Sequence, residues 1–590
     1  MSVVLSRDNQ PAASIVIERD SPPAVAFAAD EISRYLAIIT GGRFPVTDAP
    51  ADPSAPVIRL GVNLPDAPDL SGRRCGSFAW VAGERGVTIS GADPGAVVHA
   101  VYALLEELGC AWLHAWEGGE IIPRVPSVTI PAGERIHEPA FTHREFTNLM
   151  PITRDYPLMI DWMCKNRFNR FMVFANIAGS IEQYLRLLEP EIVARGMSAT
   201  MGHHSFRYFL PPAELFDEHP EYFALIEGRR SPEGQLCTSN PAVAELVAQR
   251  VCGFLAEHPH IEMVGLWPND GYGWCECDRC AAIQPQQPSD FDRGKMRRTD
   301  TYLRFVNAVA ERVAVEHPDR RLSALAYVNY AEPPEQVEPA DNVAVCFAPF
   351  LRCIKHPIPP GEPCERDNER FAQLIEQWRP KVANDLYLFS YLMQIHMLSL
   401  PYRITHMLGP NWRWMAGAGV DGYVMEFVPE EWGAFGVNAH LIGRLSWDPE
   451  LDVDAWLPGY YEHLFGPAAG EMAELYRRFE GDLIQPGPCT GHYDLTWTFR
   501  ATDELMRPAL EALGRARAAA ATGDRRHWQA VQRAWVGIEL LMRVGRWQRA
   551  RRDAPRGRDA DEAAETLQWA RAHAGSGAIE IGRIEKVLGG

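Results

Sequence analysis

The chain has 590 residues and a formal net charge of −19, and 46% of its residues are hydrophobic, 10% aromatic and 23% charged. This length exceeds what a single hydrophobic core supports, and the composition is that of a folded globular protein rather than a disordered one. The negative charge, without a concentrated face of Lys and Arg, argues against a nucleic-acid-binding protein. Twelve cysteines in so long a chain are too few for a disulfide scaffold.

The sequence shows neither a secretory leader nor a membrane span. Residues 1–7 lack an apolar core of secretory length, and the longest apolar stretch, residues 96–112, is interrupted by His99, Glu106 and Glu107. We therefore expect a cytoplasmic protein with no membrane partner.

The periodicity of apolar residues first predicts a small α/β domain at residues 1–135. Helical spacing at residues 26–39 and 95–108 is combined there with strand-like runs at 14–17, 57–60 and 87–89. At the other end, residues 448–590 show helical periodicity without strands, which predicts a helical C-terminal domain. Its predicted helices are residues 454–463, 471–479, 502–521, 528–548 and 560–574.

Between these segments, residues 136–447 alternate short apolar runs with helical stretches, the pattern of parallel β/α units. The predicted strands are residues 141–146, 170–174, 197–201, 263–267, 322–327, 343–347, 385–389 and 420–426. Eight such units form a closed (β/α)8 TIM barrel, whose chemistry lies at the carboxyl ends of its strands. The predicted fold class is therefore α/β, with this barrel between the two smaller domains.

The fourth predicted strand ends in Trp267-Pro-Asn-Asp-Gly-Tyr-Gly-Trp-Cys-Glu-Cys-Asp-Arg-Cys280. Within it, Asn269, Asp270 and Gly271 form a turn signal that ends the strand and directs side chains beyond it. Trp267 and Trp274 flank the carboxylate and are expected to desolvate it. Such desolvation raises the pKa of a carboxyl group and suits a general acid.

Glycoside cleavage commonly uses two carboxyl groups, so acids at strand ends are candidates for catalysis. Asp270 is the predicted general acid, and Glu426, which interrupts the apolar eighth strand, is the predicted second carboxylate. Glu145 on the first strand is a third candidate, with an ion pair to its neighbour Arg144 as the alternative. A turn-capping role for Asp270 and a rim ion pair for Glu426 are the structural alternatives.

Other residues at strand ends are typical of a sugar pocket, in which aromatic planes stack on pyranose rings and polar groups hold hydroxyls. The predicted substrate-binding residues are Arg144, Glu145, Asn176, His203, His204, Trp267, Asn269, Trp274, Tyr327, Tyr330 and Tyr391. Arg144, Arg207 and Arg352, with Lys355, suggest a carboxylated sugar, since guanidinium groups match carboxylates.

Cysteines are concentrated beside Asp270. Cys275, Cys277 and Cys280 lie within six residues, and Cys237 precedes the fourth strand. These four thiols predict a tetrahedral structural zinc, with disulfides or a redox pair as alternatives. Cys353 and Cys364 are expected to join the loop after the sixth strand if the compartment is oxidising. No cofactor is expected for catalysis itself.

Two parts of the sequence resemble known families. Ala28-Ala-Asp-Glu-Ile-Ser-Arg-Tyr-Leu with Thr40-Gly-Gly, and residues 95–112, are similar to the small domain that precedes the barrel in bacterial α-glucuronidases and β-hexosaminidases. The barrel resembles the group named domain of unknown function 4838 through Gln235-Leu-Cys-Thr-Ser-Asn-Pro, Asn269-Asp-Gly with the cysteines, and Cys353-x-x-His-Pro. The resemblance implies a glycosidase-like barrel acting on carbohydrate. Asn269-Asp270 departs from the Asp-Glu pair of the hexosaminidases.

The sequence thus favours a glycoside hydrolase that removes a terminal sugar, acidic or N-acetylated, from a glycan, with an oligosaccharide or glycoside as its partner. The first alternative is a metal-assisted carbohydrate lyase or isomerase with its metal near His203 and His204. The second is a carbohydrate-binding protein on a degenerate, non-catalytic barrel. The C-terminal helices are expected to cover a barrel edge or to form a homodimer.

Overall fold

A computed structural model describes residues 2–589 except 51, 53, 285, 286, 360, 362, 363, 365, 367, 393–398, 487, 554–557 and 577. In this part of the chain, no helix combines the length and apolarity needed to cross a bilayer.

The N-terminal segment contains a six-stranded mixed sheet, in the order β11-β6-β7-β5-β3-β4, and a three-stranded sheet, β10-β1-β2. The strands are β1 (Val3–Arg7), β2 (Gln10–Pro11), β3 (Ser14–Val16), β4 (Val46–Thr47), β5 (Val57–Val62), β6 (Phe78–Gly83), β7 (Gly86–Gly91), β8 (Ala111–Trp112), β9 (Glu120–Ile121), β10 (Val128–Ile130) and β11 (Gly133–His137). Helices α1 (Pro23–Thr40) and α2 (Pro94–Glu107) pack against each other. The predicted α/β segment is therefore present.

The middle of the chain forms a closed barrel of eight parallel strands, as predicted. Its strands are β12 (His143–Thr147), β13 (Arg170–Phe174), β14 (Ser198–Gly202), β17 (Ile261–Gly265), β18 (Arg321–Ala326), β19 (Val343–Phe347), β20 (Leu386–Ser390) and β21 (Gly422–Glu426). A short hairpin, β15 (Leu225–Ile226) and β16 (Arg229–Arg230), is inserted before β17. β12 pairs with β21, which closes the cylinder.

Helices surround these strands. They are α3 (Tyr156–Lys165), α4 (Ser180–Leu187), α5 (Glu189–Ala194), α6 (Phe206–Phe209), α7 (Pro212–Leu215), α8 (Pro241–Glu257), α9 (Asp278–Ile283), α10 (Thr299–Glu316), α11 (Asn368–Trp378), α12 (Thr405–Gly417) and α13 (Trp432–Leu445). Because each strand is buried on both faces, strands such as β19, Val-Ala-Val-Cys-Phe, are continuous apolar runs.

A ladder of buried and partly buried charges lies at the amino-terminal end of the barrel. Glu262 lies between two arginines, with its oxygens 2.8 Å from Arg170 and 2.7 Å from Arg321. Asp385 in turn contacts Arg321 and lies 2.7 Å from Nε2 of His143. The arginines lower the pKa of Glu262, Arg170 most strongly. Polar groups therefore close the end of the cylinder opposite the carboxyl ends of the strands.

The C-terminal segment is helical, as predicted. Its helices are α14 (Val453–Phe465), α15 (Ala469–Arg478), α16 (Asp503–Ala520), α17 (Arg525–Asp553), α18 (Arg558–His573) and α19 (Ile581–Leu588). The segment between α15 and α16 returns to the barrel, where the carbonyl of Thr490 accepts a hydrogen bond from the backbone N–H of Ile354 at 2.8 Å. We call residues 485–495 the C-terminal returning segment. Several of its described residues lie at the carboxyl ends of the strands.

Candidate active site

The carboxyl ends of the barrel strands form a mouth lined by acids and aromatic rings. His203 and His204 follow β14, Trp267 to Asp270 follow β17, and Tyr327 follows β18. Tyr391 follows β20, and Glu426 is the last residue of β21. The sequence therefore predicted the elements that present these side chains.

Asp270 lies at the rim with 71% of its side chain exposed, and its Oδ1 is 3.7 Å from Nε2 of His204. The Nδ1 of His204 lies 2.5 Å from the carbonyl oxygen of Pro268. Because a carbonyl oxygen only accepts, this Nδ1 donates, and a neutral His204 presents the lone pair of Nε2 toward Asp270.

The expected desolvation of Asp270 by indole rings was wrong. Trp274 is buried and packs on Tyr302 and Tyr330, at ring-centroid distances of 6.3 and 5.5 Å, so it does not cover the carboxylate. The side chain near Asp270 is instead Tyr327. Burial, and then the charge of the Asp270 carboxylate, raise the pKa of Tyr327.

The turn that carries Asp270 is fixed by Gln235. Its Oε1 accepts from the backbone N–H of Asn269 at 2.8 Å, and its Nε2 donates to the carbonyls of Asn269 and Tyr272 at 2.7 and 3.1 Å. The Asn269 amide donates to the carbonyl of Gly234 at 3.1 Å, so this predicted sugar-binding nitrogen holds the turn. Gly271 has φ +96°, a conformation that favours glycine.

Glu426 lies at the base of the mouth, with 3% of its side chain exposed. Its Oε2 is 3.2 Å from Nε2 of His492, which the C-terminal returning segment supplies. The ring of His492 packs on Tyr391 at 4.9 Å and on Tyr493 at 5.1 Å. Burial, then the Tyr327 hydroxyl and the Glu426 carboxylate, raise the pKa of Tyr391.

Tyr493 links the two predicted acids. Its side chain is 46% exposed, and its ring packs 5.5 Å from Phe350, which also contacts Tyr327 and Tyr391. Burial raises the pKa of the Tyr493 hydroxyl, and the carboxylates of Glu426 and Asp270 raise it further. The charges of both carboxylates therefore act on one hydroxyl group. The two acids, although far apart in the sequence, face the same mouth.

Aromatic rings form the wall beneath His203. Its ring stacks on Phe174 with centroids 3.7 Å apart and planes 5° apart, and it lies 5.7 Å from Phe389 and 5.9 Å from Trp267. The Nδ1 of His203 is 2.9 Å from Oδ1 of the exposed Asn176. Burial lowers the pKa of His203, so its imidazole is neutral near pH 7.

The mouth also contains strained backbone. His203 and His204 have φ +65° and +50°, and the β-branched Val328, next to Tyr327, has φ +40°. Non-glycine residues adopt this region at a cost of about 1 to 3 kcal/mol each, and such strain clusters at functional sites. Here the strained backbone directs the imidazoles of His203 and His204 and the ring of Tyr327 toward one opening.

Two predicted substrate-binding residues lie elsewhere. Arg144 is buried, and it donates to the carbonyls of Arg167 and Phe141 at 2.7 and 2.8 Å, on the face of β12 toward the N-terminal segment. Glu145 points to the opposite face, into the barrel, because neighbouring side chains on a strand alternate. The predicted ion pair between them was therefore wrong, and Arg144 cannot contact a ligand at the mouth.

Tyr330 and Trp267 are also fully buried. Tyr330 packs behind Tyr327, at 6.1 Å, and against Tyr302. Trp267 donates from its indole nitrogen to Oγ of Ser323 at 3.2 Å, inside the barrel. With Trp274, these rings position the wall rather than offering a face to a sugar.

The predicted cations do not converge on the mouth. Arg207 pairs with Glu233 at 2.9 Å, Arg352 is buried, and Lys355 donates to the carbonyl of Gln485 at 2.9 Å. A cation that the sequence did not suggest is Arg583 on α19, whose charge lowers the pKa of Tyr493 against the larger effect of burial. Its buried Nε has no hydrogen-bond partner among the described residues.

The predicted cysteine group is compact. Cys237, Cys275, Cys277 and Cys280 are buried, and their sulfurs lie within 4.8 Å of one another. The distances from Cys237 Sγ to those of Cys277 and Cys280 are 3.7 and 3.9 Å. A tetrahedral zinc with Zn–S bonds of about 2.3 Å has edges of about 3.8 Å. The backbone N–H of Leu225 on the β15–β16 hairpin donates to Cys275 at 3.3 Å.

The predicted metal near His203 and His204 gains no support from the donor geometry. Within the described residues, the groups of three or more His, Cys, Asp or Glu ligand atoms within 4.8 Å of one another include neither histidine. The Nδ1 of each ring already contacts an oxygen of the protein.

Solved structures with a similar fold include glycoside hydrolases. A family GH115 4-O-methyl-α-glucuronidase with specificity for decorated arabinogalactans matches with TM-score 0.59 and 13% identity, over 99% of this chain and 78% of that chain. A GH138 enzyme targeting pectin rhamnogalacturonan II matches with TM-score 0.53 and 11% identity, over 95% and 72%. At these identities the similarity shows the fold alone.

A GH20 β-N-acetylhexosaminidase from Streptomyces coelicolor A3(2) matches with TM-score 0.47 and 16% identity, over 80% of this chain and 93% of that chain. Similarity this weak supports no inference about the site. No curated protein matches the sequence. The family model described as domain of unknown function (DUF4838) matches residues 112–478, which include all eight barrel strands, and the chain therefore belongs to the DUF4838 family.

Proposed function

We propose that this protein is a glycoside hydrolase in which Asp270 and Glu426 are the two catalytic carboxylates. The observation that carries the proposal is a continuous series of contacts between the two acids at the carboxyl end of one barrel. Asp270 lies 3.7 Å from His204, whose ring neighbours Tyr327, and Glu426 lies 3.2 Å from His492. The rings of Phe350 and Tyr493 connect Tyr327 to His492. Two carboxyl groups that flank one bound sugar are the usual requirement for breaking a glycosidic bond.

The different exposures of the two acids assign their roles. The leaving group of a terminal sugar points out of the pocket, so the exposed Asp270, beside His204 and Tyr327, is placed to protonate the glycosidic oxygen. Glu426 lies deeper, where it can act as the nucleophile or activate a water molecule. Of the rings at the mouth, the half-exposed Tyr493 can offer a face to the apolar side of a pyranose.

Arg583 suggests the substrate class within this proposal. Its charge acts on the Tyr493 hydroxyl, which is consistent with a guanidinium near the site, and guanidinium groups bind carboxylates. We therefore favour a uronic acid or another carboxylated sugar over a neutral one.

We also propose that zinc at Cys237, Cys275, Cys277 and Cys280 holds the loop beside Asp270. Asp270 and Cys275 belong to one loop, and Gln235, which fixes the turn, is two residues from Cys237. The metal would have a structural role, since four thiolates leave no open coordination position for a substrate.

A screen of chromogenic uronides, sialosides and N-acetylhexosaminides tests the function. We expect turnover of at least one carboxylated glycoside, and a loss of about 10²- to 10⁴-fold in kcat for Asp270→Asn and for Glu426→Gln. Glu233→Gln, which removes another rim carboxylate, should keep normal activity. Saturable binding of a glycan without turnover in the unaltered protein would contradict a hydrolytic function.

The role of Arg583 has a separate test. Arg583→Gln should raise KM for a uronide about tenfold or more, since a hydrogen bond to a charged group contributes about 1.5 to 3 kcal/mol. Arg207→Gln, which removes a paired rim arginine, is the control. An unchanged KM for the uronide in Arg583→Gln would exclude Arg583 from substrate binding.

A further inference from the structure

A second group of metal-binding side chains lies beside the sixth and seventh strands. Cys353, His356 and Cys364 follow β19, and Cys489 comes from the C-terminal returning segment. One ligand atom of each lies within 4.8 Å of the others. The Sγ atoms of Cys364 and Cys489 are 3.8 Å apart, and Cys489 Sγ is 3.5 Å from Nδ1 of His356.

These distances fit a tetrahedral zinc site. With Zn–S bonds of about 2.3 Å and Zn–N bonds of about 2.0 to 2.1 Å, the sulfur–sulfur edge is about 3.8 Å and the sulfur–nitrogen edge about 3.6 Å. A disulfide would need two sulfurs at about 2.0 Å and would leave the third thiol and the imidazole without a role. Three thiolates and one imidazole are a common structural zinc set.

The surroundings are built to orient these ligands. Asn368, the first residue of α11, accepts from the backbone N–H of Cys353 at 2.8 Å. Its amide nitrogen donates to the carbonyls of Cys353, His356 and Pro357 at 3.0, 2.9 and 3.0 Å. One side chain thus fixes the whole Cys-x-x-His-Pro turn, as residues around a metal commonly fix its ligands.

The charge of such a site has a partner within the protein. Arg352, which is buried beside this cluster, carries a positive charge. A zinc ion with three thiolates has a net charge of about −1, which this guanidinium balances.

We propose that Cys353, His356, Cys364 and Cys489 bind a second structural zinc ion, which fastens the C-terminal returning segment to the barrel mouth. Cys489 is three residues before His492, which contacts Glu426, and four before Tyr493. The metal would therefore hold in place the two side chains that this segment brings to the candidate active site. That consequence rests on the proposed function, whereas metal binding itself does not.

The metal content of the purified full-length chain tests the proposal independently of activity. We expect two zinc ions per chain, one in each cysteine cluster, by elemental analysis under reducing conditions. Cys489→Ser and Cys237→Ser should each lower the content to one, whereas Cys75→Ser, an exposed cysteine outside both clusters, should leave it at two. A Cys489→Ser protein that keeps the zinc content of the unaltered chain would overturn the proposal.

Alkylation of the unaltered protein covers the case in which the variants do not fold. With zinc bound, Cys353, Cys364 and Cys489 should resist iodoacetamide, and a chelator should expose all three together, as measured by mass spectrometry of their peptides. Equal labelling with and without the chelator, or a disulfide between two of these cysteines in the freshly purified protein, would contradict a zinc site. If removal of the zinc left hydrolysis unchanged, the assignment of these four residues as zinc ligands would stand, and the zinc would have no role in the proposed function.

Discussion

At the scale of single residues, the barrel interior contains an acid whose ionisation opposes folding. Glu145 is fully buried, and burial raises its pKa to about 7, an effect that Arg170 and Thr200 only partly oppose. In the unfolded chain the group titrates near 4.5, so the folded state keeps a proton that the unfolded state releases. Stability therefore falls as pH rises from about 4.5 to about 7, by about 3 kcal/mol in all.

Glu145→Gln should remove this dependence. Relative to the unaltered protein, the Tm of the variant should rise by a few degrees between about pH 5 and pH 8. Differential scanning calorimetry at both pH values measures the effect, with Glu233→Gln as an exposed control. A constant difference in Tm across this range would show that Glu145 titrates normally.

The predictions from sequence were wrong about which side chains lie next to one another in space. Arg144 and Glu145 were assigned to the same site, although residues next to each other on a strand point to opposite faces. Asp270 was assigned two indole neighbours, but Trp274 leaves the turn after Gly273, whose φ of +76° redirects the chain. A pattern of residue types predicts which strand end carries a side chain, but not the direction in which a loop takes it.

At the scale of elements, the charge ladder joins four strands at the amino-terminal end of the barrel. Glu262 bridges Arg170 and Arg321, and its pKa is lowered, chiefly by Arg170. A lowered folded pKa means that this stabilisation is present above about pH 4.5 and is lost as the pH falls below that value. The barrel is therefore expected to be sensitive to acid.

Glu262→Gln should destabilise the barrel by about 3 kcal/mol at neutral pH, since it removes the carboxylate that pairs with the buried Arg170 and one of the two carboxylates that pair with Arg321. The difference in the free energy of unfolding between the variant and the unaltered protein should become smaller as the pH falls below about 4.5. Urea unfolding at several pH values measures it, and Glu245→Gln, in an exposed pair with Arg312, should change stability by less than about 1 kcal/mol. A Glu262→Gln protein as stable as the control variant would contradict this account of the ladder.

The strands themselves were the most predictable elements. The predicted runs at residues 170–174 and 343–347 coincide with β13 and β19, because strands buried on both faces are continuous apolar segments. β17 ends at Gly265 rather than at Trp267, since the backbone N–H of Trp267 donates to Oγ of Ser205 instead of to a strand. The strand β11 was not predicted, because it is mostly exposed and carries no apolar alternation.

At the scale of the whole molecule, the candidate site is completed from outside the barrel. His492 and Tyr493 lie beyond residues 112–478, which match the family model. His492 nevertheless contacts Glu426, and the charges of Glu426 and Asp270 act on the Tyr493 hydroxyl. No local periodicity indicates them, since the described residues of the C-terminal returning segment form no long helix and no strand. The one available signal was Cys489, a further thiol for the Cys353-x-x-His356 motif.

Tyr493→Phe tests whether this segment takes part in function. The charges of both carboxylates act on the hydroxyl that this substitution removes. Its loss should lower kcat/KM about tenfold, which corresponds to the free energy of one hydrogen bond, without a change in Tm. Tyr208→Phe, an exposed tyrosine on α6, is the matched control. Normal kinetics in Tyr493→Phe would limit the segment to a structural role.

The most direct test of the central claim is a double-mutant comparison of Asp270→Asn and Glu426→Gln, with kcat/KM measured on a glycoside that the unaltered protein hydrolyses. If both carboxylates serve one reaction, each single variant should lose most of the activity, and the double variant should be little worse than either, because residues that act as a unit are strongly non-additive. If either single variant, correctly folded, turned over substrate at the normal rate, or if the two losses simply multiplied, the two acids would not form one hydrolytic site.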